Sequence, residues 1–137
     1  MVDGITYIND SIATAPERSI AALRAIDPPL VLIAGGRDKH LPMGEWARLI
    51  GERARAVVLV GEAAPLIQAT LQAERIDVPV SRARSFAEVV PRARELARPG
   101  DTVLLSPGCT SFDEFRDYVA RGEAFRAAVA ELTGERL

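Results

Sequence analysis

Short, uninterrupted apolar runs alternating with longer amphipathic ones constrain this chain more than any other feature. Val31-Leu32-Ile33 and Val57-Val58-Leu59-Val60 present apolar side chains in both directions of a two-residue period. A strand of that kind must be covered on both faces, the condition met by a parallel sheet packed between helices. The spacing predicts strands at Ile5–Ile8, Leu30–Ala34, Ala56–Val60 and Thr102–Leu105, with a weaker one near Val78–Ser81. Helices are predicted at Pro16–Ile26, Met43–Ala54, Ala63–Glu74, Phe86–Ala97 and from Phe112 to about Leu132. Ile20, Leu23 and Ile26 form one apolar stripe, and Phe115, Val119, Phe125 and Val129 form another, with Gly122 read as a weak point or break. The pattern is that of an α/β fold: a Rossmann-like three-layer sandwich, with a mostly parallel sheet of about five or six strands and helices on both faces. No repeat, low-complexity segment or internal linker divides residues 1–137, which read as one domain.

Composition removes several functional classes. At 137 residues, 48% hydrophobic and 26% charged, the chain can bury a core of its own. Its net charge is -2, and Lys and Arg are interspersed with Asp and Glu, so no nucleic-acid-binding surface is expected. No apolar stretch is long enough for a bilayer, and no membrane association is expected. Cys109 is the only cysteine, which precludes an internal disulfide, and His40 is the only histidine, which precludes a multi-histidine metal site. Residues 1–4 lack a basic segment leading into an apolar run, so no signal peptide is expected and the cytoplasm is the expected location. The start at Met1 just before a strand is abrupt, as if a longer chain had been cut there.

Ligands of open α/β sheets bind beyond the carboxyl ends of the strands. Three segments with polar residues fall there: Asn9 to Thr14, Gly35 to His40, and Ser106 to Ser111. Thr14-Ala15-Pro16-Glu17 and Ser111-Phe112-Asp113-Glu114 both have capping-box spacing, so each predicts a hydroxyl-capped helix start. Two positive helix ends and the Lys39 ammonium on one rim suit a small dicarboxylate better than a polyphosphate. Neither a G-x-G-x-x-G nor a Walker A sequence is present. Taken singly, each residue has a plainer role: Thr14 and Ser111 as caps, Lys39 as a solvated lysine, Asp10 as a turn residue, Cys109 as a small buried hydrophobe and His40 as a surface residue. The functional reading depends on their convergence.

Four tracts carry a resemblance that spans nearly the whole chain. They are Tyr7-Ile8-Asn9-Asp10-Ser11-Ile12-Ala13-Thr14, Leu32-Ile33-Ala34-Gly35-Gly36-Arg37-Asp38-Lys39, Leu104 to Asp113, and Arg121-Gly122-Glu123-Ala124-Phe125. In this order and spacing they resemble the C-terminal domain of the UDP-N-acetylmuramoyl-L-alanine:D-glutamate ligases of the Mur ligase family. The resemblance implies a three-domain ATP- and magnesium-dependent enzyme of peptidoglycan synthesis that works through an acyl phosphate. The uridine-nucleotide domain and the P-loop domain would lie elsewhere on the polypeptide, so this chain alone is expected to be inactive, with no cofactor bound and no catalytic residue of its own.

By position, the resemblance implies that Thr14, Lys39, Ser111, Phe112 and Tyr118 hold D-glutamate, and that Asn9 and Asp10 meet the nucleotide. The implied partners are D-glutamate, ATP, UDP-N-acetylmuramoyl-L-alanine and the missing domains, in a monomeric enzyme. Ile12 stands where many members carry lysine, His40 where glycine is frequent, Gly108 where alanine is frequent and Tyr118 where phenylalanine is frequent. The alternatives are a sister Mur or folylpolyglutamate-type ligase domain and a free-standing Rossmann-like binding module.

Overall fold

A computed structural model describes residues 2–37, 41–111 and 114–134. Strands and helices alternate: β1 (Thr6–Asn9), α1 (Pro16–Ala25), β2 (Leu30–Gly35), α2 (Gly44–Arg53), β3 (Ala54–Val60), α3 (Ala64–Ala73), β4 (Val80–Arg82), a 3-10 turn (Phe86–Glu88), α4 (Val89–Leu96), β5 (Thr102–Leu105) and α5 (Tyr118–Gly134). The strands form one five-stranded sheet in the order β1-β5-β2-β3-β4, and every pairing is parallel. The Rossmann-like α/β architecture expected from the alternation of apolar runs is therefore the one observed, with strand boundaries shifted by a residue or two.

The two faces of the sheet are divided by the strand period. Leu30, Leu32, Ala34, Val57, Leu59 and Leu104 point into a core shared with α1, α2 and α3, where Leu23, Trp46, Ile50, Ile67 and Leu71 are buried. Val31, Ile33, Val58, Val60, Val103 and Leu105 point the other way, onto Phe86, Val89, Val90, Ala93 and Phe125 from the 3-10 turn, α4 and α5. All six residues of β2 are buried, the signature of a strand covered on both sides.

Strand β5 enters last in sequence yet occupies the slot between β1 and β2. The register aligns Ile8, Leu104 and Leu32 across the three strands. Helices α1 and α2, which follow β1 and β2, pack on one face of the sheet, whereas α5, which follows β5, packs on the other. The connections leaving these neighbouring strands therefore diverge, and such a divergence opens a crevice above the strand ends.

Two expectations about the last helix are corrected. It begins at Tyr118, not Phe112, and residue 111 and residues 114–117 are turn and bend. Asp117 supplies the cap, its Oδ1 accepting the Ala120 N–H at 2.8 Å. Gly122 does not break the helix. A Cβ there would lie 2.8 Å from Asn9 Nδ2, so the missing side chain lets α5 close onto the end of β1. The predicted fourth helix likewise resolves into the 3-10 turn followed by α4.

At the opposite end of the sheet, Asp101 leads into β5 and is 2% exposed. Its carboxylate accepts Arg55 Nε at 2.7 Å, Arg55 Nη2 at 3.2 Å and the Arg98 N–H at 2.9 Å. Burial pushes its carboxyl up, but the Arg55 hydrogen bond, the Arg98 N–H and the two positive charges together hold it below the usual carboxylate range. With the folded value below the unfolded one, this stabilisation is complete above about pH 4 and is lost as pH falls through the folded value. Urea denaturation of Asp101→Asn is expected to show a loss of about 2 kcal/mol at neutral pH, from charge-assisted bonds to a buried group. The same variant is expected to lose less stability than the parent between about pH 4 and pH 2.

Candidate functional site

The turn after β5 is hydrogen-bonded to both neighbouring strand ends. The Ser106 N–H donates to the Ile33 carbonyl at 3.2 Å, and the Gly35 N–H donates to the Pro107 carbonyl at 3.0 Å. On the other side, the Asp10 N–H donates to the Leu105 carbonyl at 2.7 Å and the Gly108 N–H to the Ala13 carbonyl at 2.8 Å. Further out, Arg37 and Thr110 form an antiparallel bridge, with N–H to carbonyl distances of 2.8 and 3.2 Å. The three segments that the sequence places at strand ends are thereby tied into one rim.

This stitching requires glycine at particular points. Gly36 has φ +131°, and a Cβ there would come to 2.2 Å from the Thr110 carbonyl oxygen. Gly108 has φ +69°, and its Cβ would lie 2.6 Å from the Trp46 ring. Both positions combine a left-handed backbone with an occupied side-chain volume, which only glycine tolerates.

Asp10 sits at the junction. Its Oδ2 accepts the Ser106 hydroxyl at 2.8 Å. Burial pushes its carboxyl up from the ordinary value, while the Ser106 hydrogen bond and the Arg18 charge act in the opposite sense. Asn9 Oδ1 accepts the Ser11 N–H at 3.0 Å and so turns the chain out of β1. Asn9 also lines a cavity of about 210 Å³ together with Ser11, Ile12, Tyr118, Val119 and Arg126. Ile12, Tyr118 and Val119 are 47%, 40% and 50% exposed, which gives this cavity an apolar lip.

The two capping boxes do not form. The N-cap of α1 is Ala15, with no side-chain cap hydrogen bond, so Thr14 is a half-buried rim residue one position before the cap. Ser111 is 2% exposed and opens no helix; its carbonyl accepts the Glu114 and Phe115 N–H groups in a turn. The Glu114 carboxylate reaches the Phe86 N–H instead, at 3.1 Å from each oxygen, and Phe115 packs edge-on against Phe86 at 5.0 Å. Local spacing was outcompeted by a tertiary N–H donor and an aromatic contact. The expected pair of hydroxyl-capped helix ends is therefore replaced by the N-terminus of α1 and the turn and bend residues 114–117. Lys39, Phe112 and His40 lie outside the described residues. Cys109 is buried, 1% exposed, in the core beneath the rim.

Several residues that shape the rim carried no assigned role in the sequence. Arg121, 3% exposed, donates from Nε to Ser11 Oγ at 3.0 Å and from Nη2 to the Ser11 carbonyl at 2.9 Å. Ser11 Oγ in turn donates to the Tyr118 carbonyl at 2.7 Å. One guanidinium thus locks the loop after β1 to the start of α5. The available signal was an arginine on a helix face otherwise rich in Ala and Phe, where a charge needs a specific partner. Among the described residues no cluster of three or more His, Cys, Asp or Glu side chains could hold a metal ion, and no helix is long and apolar enough to cross a membrane.

A family model described as "Mur ligase, glutamate ligase domain" matches residues 1–109. The UDP-N-acetylmuramoylalanine--D-glutamate ligase of Roseiflexus sp. (strain RS-1) is 52% identical over 134 residues, covering 96% of this chain and 29% of the relative. The same-named ligase of Symbiobacterium thermophilum is 44% identical over 133 residues, covering 97% of this chain and 29% of the relative. The chain thus spans under a third of the curated relatives it matches. Among solved structures, UDP-N-acetylmuramate-alanine ligase from Thermotoga maritima aligns with a TM-score of 0.57 at 12% identity, over 93% of this chain and 27% of that one. A ligase domain from Haemophilus ducreyi 35000HP aligns with a TM-score of 0.57 at 20% identity, over 96% and 94% of the two chains. At these identities the structural likeness speaks for the fold.

The contact between Gly108 and Trp46 can be tested directly. Gly108→Ala is expected to cost about 3 kcal/mol, from a left-handed alanine and an overpacked indole. The cost is expected to be smaller in a Trp46→Phe background, where the smaller ring leaves room. A double-mutant cycle by urea denaturation measures the coupling, and additive effects would show that the indole is not what excludes a side chain at 108.

Proposed function

The chain belongs to the family of Mur ligase glutamate ligase domains, and from that premise we propose that it is the C-terminal, amino-acid-binding domain of an ATP-dependent ligase. That ligase joins D-glutamate to UDP-N-acetylmuramoyl-L-alanine in peptidoglycan biosynthesis. The observation that carries the reading is the 52% identity over 134 residues to a ligase of that name. The chain covers 29% of that relative, so the proposal leaves the P-loop, the magnesium ligands and the uridine-nucleotide pocket to other domains of the same polypeptide. The enzyme is read as a monomer working in the cytoplasm, and the domain alone as inactive.

In the proposed reaction, ATP phosphorylates the carboxyl of the muramoyl-alanine substrate, releasing ADP. The D-glutamate amine attacks the acyl carbon, the amide C–N bond forms, the C–O bond to phosphate breaks and the amine loses a proton. The contribution of this domain is positional. It holds the incoming amino acid by its carboxylates so that the amine meets the acyl phosphate, and it closes one side of the nucleotide site.

Thr14, Lys39, Ser111, Phe112 and Tyr118 are the proposed D-glutamate residues, and Asn9 and Asp10 the proposed nucleotide contacts. The geometry supports a shared location. Arg37 is bridged to Thr110, the neighbour of Ser111. Lys39, two residues after Arg37 in sequence, lies outside the described residues. Thr14 follows the Ala13 carbonyl that the Gly108 N–H holds. Ammonium, hydroxyls and the α1 N-terminus are groups suited to carboxylates. Asp10, which accepts the Ser106 hydroxyl at the strand end, is the residue proposed to accept hydrogen bonds from ribose hydroxyls.

The test uses the complete ligase polypeptide that carries this domain, with phosphate release followed against each substrate. Lys39→Ala is expected to raise the KM for D-glutamate by about ten- to a hundredfold, the value of one charge-assisted contact, and to change the KM for ATP much less. Equal effects on both substrates would refute the assigned role of Lys39. Turnover with another amino acid in preference to D-glutamate would refute the proposed activity.

A further inference from the structure

Trp46 lies beneath the rim, 1% exposed, with its Nε1–H donating to Ser19 Oγ at 2.9 Å. Ser19 Oγ donates to the Ser106 carbonyl at 2.9 Å, and Ser106 Oγ donates to Asp10 Oδ2 at 2.8 Å. An indole N–H can only donate, so the Ser19 hydrogen is free to point at Ser106. Ser19 and Ser106 are both 0% exposed, so water does not compete for these bonds. The same indole ring fills the volume under Gly108. The turn from Ser106 to Gly108 is therefore supported from below at two points, by a hydrogen bond at one end and by a ring face at the other.

Apolar residues at positions 19 and 46 would fill this part of the core without the desolvation cost of an indole N–H and a hydroxyl. What the polar pair adds is direction. It fixes the height and orientation of the Ser106 peptide, and with them the point from which the Ser106 hydroxyl meets Asp10.

We propose that Trp46 and Ser19 are positioning residues for Asp10, acting through the turn Ser106-Pro107-Gly108 to aim its carboxylate at the bound nucleotide. The last clause rests on the nucleotide reading of Asp10; the positioning itself does not.

The experiment has two arms. The first follows the Asp10 side-chain carboxyl by carbon-detected NMR titration in the 137-residue chain, as wild type, Ser106→Ala, Ser19→Ala and Trp46→Phe. A hydroxyl donor favours the ionised carboxyl, so its removal in Ser106→Ala is expected to raise the Asp10 pKa. Ser19→Ala and Trp46→Phe are expected to raise it in the same direction by part of that amount. The Ser19→Ala/Trp46→Phe double variant is expected to fall short of the sum of the two single effects, because the indole hydrogen bond acts through Ser19. Ser19→Ala leaves the indole in place and decides the matter if Trp46→Phe unfolds. The proposal is overturned if Ser106→Ala leaves the Asp10 titration unmoved, or raises it while Ser19→Ala does not.

The second arm uses the complete ligase polypeptide. Ser19→Ala is expected to raise the KM for ATP by about two- to tenfold, the worth of one neutral hydrogen bond, with kcat and the KM for D-glutamate moving less. A uniform fall in kcat without that split marks Ser19 as merely structural and overturns the proposal. Should Asp10→Asn leave the KM for ATP unchanged, the nucleotide reading of Asp10 fails instead, and the NMR arm still decides whether Trp46 and Ser19 position it.

Discussion

The turn that follows β5 holds the rim together because of where β5 is inserted. A strand placed between β1 and β2 brings its last peptide groups against both neighbours, and those groups lie over a dry core. Buried peptide groups must be paired, and here they are paired with one another across the crevice: Asp10 on Leu105, Ser106 on Ile33, Gly35 on Pro107, Gly108 on Ala13. Each such bond is worth about 1 kcal/mol net, but leaving one unmade costs more, so the loops are locked as a set. The requirement for glycine at 36 and 108 is a consequence of this closeness.

A rim held this way suits a domain whose contribution is orientation. Of the side chains proposed to touch substrate, Thr14 and Ser111 hang from segments whose backbone is already hydrogen-bonded, so little ordering is left there for the moment of binding. Arg121 extends the arrangement to α5, clamping the chain after β1 to the helix start that carries Tyr118. The apolar lip of Ile12, Tyr118 and Val119 lies on that side of the rim. At the opposite end of the sheet, Arg55 Nε pairs with the buried Asp101 carboxylate at 2.7 Å.

The fold could be read from the chain because its information is one-dimensional. Val31 to Ile33 and Val57 to Val60 announce strands covered on both faces, and the stripe through Ile20 and Leu23 announces the helix that covers one of them. The site was legible as a set of segments but not as a set of geometries. Thr14 with Glu17 and Ser111 with Glu114 match a capping pattern, yet Ala15 occupies the cap position and the Glu114 carboxylate goes to Phe86. Local patterns of this kind are worth about 1 kcal/mol, small enough for one tertiary contact to redirect them. Gly122 was misread for a related reason: its low helix propensity is local, whereas its use, admitting the Asn9 side chain, is a contact between distant parts of the chain.

Sequence alone determined the alternation of strands and helices, the parallel character of the sheet and the three polar segments at its carboxyl edge, because each is encoded by a period of two or about 3.6 residues within a short window. Only the tertiary structure decided that β5 sits between β1 and β2, that Ser106 meets Asp10, that Arg121 holds Ser11 and that Trp46 supports the turn from beneath. Those pairings join residues tens of positions apart, and no local period records which of many buried polar groups will find which partner until the core has closed around them.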